Sequence, residues 1–145
     1  MDVLQAKGLT LLRVILGFSL LSTTLHYTHN AIRYADYPQL PGISPLVGGI
    51  VVAFAWVLLT AFGGLGYRAY RRGWYPQALA FLLVYSLAGL ITLGHFLTGV
   101  PRIPAFWFAT IFTDAAAGLA LWVFLTWAWA ALNRVTVRDQ LSTQH

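Results

Sequence analysis

Four apolar runs constrain this chain more than any other feature. Residues 8–30, 45–65, 76–98 and 104–131 carry almost no charge over stretches of twenty or more residues. A helix of about 20 apolar residues crosses the roughly 30 Å hydrocarbon layer of a bilayer. Lipid offers no partners to backbone N–H and C=O groups, so an isolated segment crosses only as a helix. The expected fold is therefore all-α: one integral membrane domain spanning 1–145, an antiparallel four-helix bundle. Only 9% of the residues are charged and mean hydropathy is +0.70. A soluble domain carries about 25%, so a water-facing surface is excluded. The lipid bilayer is the first partner, and the wide apolar faces also suit a homo-oligomer or a larger membrane complex.

The first run, after Lys7, has the look of a secretory leader. Arg13 interrupts it, however, and no small-x-small cleavage site follows. A retained membrane helix is the better reading. The net charge of +5 would suit nucleic acid, but the placement of the charges argues for topology instead. With both termini cytoplasmic, the inner side holds Lys7, Arg13, Arg68, Arg71, Arg72, Arg134 and Arg138, and the outer side only Arg33 and Arg102. That is the positive-inside pattern of a multi-pass protein of the inner membrane, and it needs no nucleic acid.

Punctuation falls between the runs. Pro38, Pro41 and Pro45 stiffen the 31–44 connection, which is expected to fold over the helix ends as a short lid. The basic, aromatic stretch 67–75 is expected to be a loop at the headgroup level. Gly63, Gly64 and Gly66 precede it without the strand or the Lys-Ser/Thr of a phosphate loop.

The polar residues inside the apolar runs carry the chemistry. Ser19, Ser22, His26 and His29 follow one stripe of the first helix. Tyr85, Ala88, Thr92 and His95 repeat that spacing in the third. Thr110, Asp114 and Gly118 share a face of the fourth, where Asp114 is the only acid inside an apolar run. The fourth histidine, His145, ends a polar tail. Polar stripes in lipid are stabilised by facing each other. His26, His29 and His95 are therefore expected to converge near the outer face, with His26 and His95 roughly 6 Å deep at 1.5 Å per residue. Asp114 is expected deeper, near the level of Ser22 and Thr92.

There is no cysteine, which removes disulfides, thiolate metal sites and covalent haem attachment. Imidazole and carboxylate remain, and they suit a transition metal such as Zn, Cu or Fe. His26, His29 and His95 are the expected ligands, with Asp114 as a ligand or a group that orients one of them. Haem b is the alternative cofactor, held by His95 and one of His26 and His29 across the bundle, with Arg33 and Arg102 near its propionates. In either case Arg33 and Asp36 would flank the entrance. Two other readings use the same residues differently. One is a proton path through Asp114 and the histidines. The other is a structural accessory subunit with no chemistry of its own.

Overall fold

The computed structural model describes residues 3–38 and 41–142; His145 lies outside them. A single irregular turn, Val3–Gly8, leads into α1, Leu9–Ile32. The other helices are α2, Pro45–Arg71; α3, Tyr75–Leu90; the short α4, His95–Thr98; and α5, Ala105–Ser142. Among the described residues there is no strand. Four spans are long and apolar enough to cross a membrane: Gln5–Ile32, Pro45–Arg71, Tyr75–Thr98 and Ala105–Arg134. The protein is thus a multi-pass, all-helical membrane protein, and its spans form a four-helix bundle. α1 packs against α2 and α5, and α3 against the same two.

Local chemistry sets the helix ends. Ser44 caps α2 by accepting the Val47 N–H at 3.4 Å, with Pro45 in the first helical position. α2 then runs through Arg71, past the expected end at 65 and into the stretch expected to be a loop. Nothing in 66–71 breaks a helix. It stops only where Gly73 takes φ +76°, a left-handed conformation that glycine adopts without strain. There Gly73 N–H reaches the Tyr70 carbonyl and Trp74 N–H the Ala69 carbonyl, both at 3.0 Å. These two bonds satisfy the last carbonyls and turn the chain directly into α3. α5 likewise continues beyond 131, since no glycine or proline follows Gly118 before its end.

The third span departs most from expectation. A continuous helix was expected over 76–98, but α3 ends at Leu90 and a 3-10 turn, Ile91–Gly94, precedes α4. Thr92 explains part of this. Its hydroxyl lies 2.6 Å from the Gly89 carbonyl and 3.3 Å from the Ile111 carbonyl of α5. A threonine that bonds the preceding backbone competes with regular helical pairing, and here it also ties the turn to α5.

The interior is divided. One half is apolar, built around Leu12, Tyr70, Leu82, Leu121 and Phe124. The other half buries Ser19, Ser22, Thr23, His26, Asn30, Thr92, Thr110 and Asp114. Many of the large apolar side chains, such as Val51, Phe54, Leu97 and Val123, point outward. In water this would be an inverted protein. In lipid it is stable, because the bilayer covers the apolar surface and the bundle pairs the polar groups.

Candidate functional site

The polar half is assembled on one face of α1. Ser22, His26 and Asn30 are spaced by four residues and all three are buried. They form a column with a step of about 6 Å. The other helices and the 33–38 segment bring partners to each level.

At the deepest level, Ser22 donates to Asp114 Oδ1 at 2.5 Å, and the Thr113 hydroxyl lies 2.7 Å from Ser22 Oγ. Asp114 is fully buried and its Oδ2 has no partner. The expectation that Asp114 sits at the level of Ser22 is met. It bonds a hydroxyl there, and no bond links it to an imidazole. Nearby, the Tyr85 hydroxyl meets Ser19 and Thr23, and Tyr27 donates to the Ala88 carbonyl at 2.8 Å. The polar stripes of the first and third spans do face one another.

The middle level is His26, with no exposed surface. Its Nδ1 lies 3.0 Å from Thr110 Oγ1. The Thr110 hydroxyl has one hydrogen, which goes to the Trp107 carbonyl at 2.6 Å. Thr110 must therefore accept from His26, so the imidazole carries its proton on Nδ1. Nε2 is left as a lone pair, and it is buried without a partner. The His95 ring lies 5.5 Å from the His26 ring, centroid to centroid.

At the outermost level, the Asn30 amide nitrogen lies 3.1 Å from His95 Nε2. Asn30 Oδ1 is buried and unpartnered. Tyr37 closes the site from the loop, with only 3% of its surface exposed. Its ring centroid is 4.9 Å from that of His95, 5.7 Å from His29 and 5.8 Å from His26. Its hydroxyl is 2.8 Å from His29 Nδ1. Burial, with the charge of Asp36 next, pushes this phenol above its ordinary range. It stays protonated and donates to His29, whose ring also stacks on Trp107 at 4.3 Å.

Three of the candidate residues thus gather around one tyrosine. His26 and His95 face each other, whereas His29 reaches them only through Tyr37. Among the described residues, no three His, Asp or Glu side chains form a metal-holding group by themselves. A metal here would need neutral oxygen donors as well. Arg33 is exposed and donates to Asp36 at 2.7 Å, so its charge is already paired. Arg102 is exposed on the connection before α5. Tyr37 and Asn30 were not singled out from the sequence. Asn30 could have been, since it lies four residues after His26 on the same stripe. Tyr37 carried no signal beyond an aromatic residue ahead of Pro38.

Tyr37→Phe isolates the tyrosine hydroxyl. The ring should stay packed while the bond to His29, worth about 1 kcal/mol, is lost. That corresponds to roughly fivefold in an opening equilibrium. Acylation of His29 by diethyl pyrocarbonate should speed up by about that factor, with His26 still protected. An unchanged His29 rate would mean that Trp107 alone holds the ring.

Comparison of the chain with protein-family models, with curated proteins and with solved structures gave no match.

Proposed function

We propose that the histidine end of the bundle binds one transition-metal ion, with His26 and His95 as imidazole ligands and the Tyr37 oxygen as a third donor. The observation that carries this reading is the bare, buried Nε2 of His26. Its other nitrogen is held by Thr110, the usual arrangement around a ligating imidazole. Burying an acceptor without a donor costs about 1–3 kcal/mol, and a cation would offset that cost. Asn30 Oδ1 is a second bare acceptor one turn outward, and Asp114 Oδ2 a third in the layer beneath. Three bare acceptors in one column of the bundle favour positive charge there.

Two imidazoles and a phenol oxygen suit copper, iron or zinc. Copper or iron would give the site a redox role, zinc a binding role. His29 would hold the phenol from outside, and Asp114 would supply negative charge from below. Haem b fits less well, because the Tyr37 ring packs against both imidazoles and a macrocycle would have to displace it. Metal analysis and an optical spectrum of the purified protein test the reading. One metal per chain, lost in both His26→Ala and His95→Ala, supports it. A Soret band would replace it with haem. Metal titration that binds nothing in wild type or variants leaves the accessory-subunit role ahead.

The short Ser22–Asp114 bond, with Oδ2 unpaired, favours a second reading in which this column handles protons. Metal-free protein whose proton flux in liposomes falls with Asp114→Asn would support that one.

The bundle is proposed to be antiparallel, with both termini on the cytoplasmic side of the inner membrane and the histidine end outside. The support is the bias of seven basic residues to two. Reporter fusions after Arg72 and after the tail should read cytoplasmic, and one near Gln39 external. An external C-terminus would overturn the orientation.

A further inference from the structure

At the opposite end of the bundle from the histidines, α1 and α2 do not close on each other. A groove of about 290 Å³ runs between them, lined by Arg13, Gly17, Leu20, Thr60, Gly64 and Tyr67 among others. Gly17 and Gly64 keep it open: a Cβ built on either would meet nothing within 4 Å. From Arg13 to Leu20 the groove follows α1 for about 10 Å. Its walls are nearly all apolar, but the Thr60 hydroxyl is buried beside it without a partner.

One end of the groove is cationic. Arg13 donates Nε to the Tyr67 hydroxyl at 3.0 Å. Tyr67 also lines a second, adjoining pocket of about 440 Å³ formed with Arg68, Arg71 and Arg72. The Arg71 guanidinium lies 5.8 Å from the Tyr67 ring centre. Among the described residues the only ion pair is Arg33 with Asp36, so none of these four arginines has a carboxylate partner there. Positive-inside topology accounts for arginines at this end. It does not account for an apolar groove that begins at them.

We infer that this site binds one anionic phospholipid, with its phosphate among Arg13, Arg68, Arg71 and Arg72 and one acyl chain in the groove against Gly17 and Gly64. Basic clusters just beyond a membrane helix attract acidic headgroups. Here the apolar groove adds a place for the chain, which a purely electrostatic patch lacks. A zwitterionic lipid could fill the groove but would gain little from a cluster of four guanidinium groups.

Native mass spectrometry of the delipidated full-length protein tests this, with phosphatidylglycerol and phosphatidylcholine of matched chains as probes. Wild type should retain one phosphatidylglycerol with at least tenfold preference over phosphatidylcholine. Arg13→Gln should lose most of that preference. Gly17→Leu and Gly64→Leu, which fill the groove from separate helices, should each weaken retention of phosphatidylglycerol about tenfold without lowering thermal stability. Either leucine variant is sufficient if the other does not fold. Equal retention of both lipids by wild type would overturn the proposal and leave ordinary annular lipid. Undiminished retention by a folded leucine variant would overturn it too, since the groove would then hold no chain.

Discussion

Gly89→Ala should destabilise the bundle by about 3 kcal/mol, at the upper end of what overpacking costs. A Cβ on Gly89 would run into the Asp114 carbonyl and the Gly118 nitrogen, both backbone atoms of α5. A flexible side chain could swing away; a helix backbone cannot. α3 and α5 would have to separate at the level of Asp114. That shift would also move Asp114 from Ser22 and Thr110 from His26. Thermal unfolding in detergent should show a much lower midpoint. Gly64→Ala is the control, because its Cβ meets nothing. There alanine should be neutral, or stabilising by about 0.5–1 kcal/mol through helix propensity. Equal stability of Gly89→Ala and Gly64→Ala would mean that α3 and α5 do not touch at this glycine. Gly49→Ala should behave like Gly89→Ala, since its Cβ would meet the Ala31 carbonyl of α1.

The second large effect concerns the proposed metal site. Thr110→Val should weaken metal binding by 10–100-fold, although Thr110 is not proposed as a ligand. Losses of that size follow when the partner that orients a ligating imidazole is removed. Valine keeps the shape but cannot accept the His26 Nδ1–H. His26 would then be free to turn, or to place its proton on the nitrogen that must bind metal. His26→Ala should abolish binding outright, and His29→Ala should have a smaller effect through Tyr37. Competition with a chelator of known affinity measures all three. Wild-type affinity in Thr110→Val, combined with loss in His26→Ala, would keep His26 as a ligand but remove the role assigned to its tautomer. Unchanged binding in His26→Ala would sink the site.

Much of this architecture was legible in the residues alone. Four spans, their approximate limits and the inward polar stripes follow from hydropathy and helical spacing. Lipid enforces both, because a polar group turned outward has no partner there. Asp114 facing Ser22 followed from the same rule with a depth estimate. What spacing could not supply was contact between elements distant in sequence. Tyr37 enters the histidine cluster only because the chain after α1 turns back over it. Thr110 becomes the acceptor for His26 only because α5 lies against α1 at that height. The break after Leu90 was also invisible, since apolar character persists through it and part of its cause is a threonine bonded across to α5. The groove beside Gly17 and Gly64 is the reverse case: small residues on neighbouring helices usually mark close packing, and here they mark a gap. The sequence by itself determined that the chain spans a membrane and which faces turn inward, because period and hydropathy are local properties enforced by lipid. Only the tertiary structure decided which polar atoms found partners and which were left bare, because that depends on how four helices settle against one another.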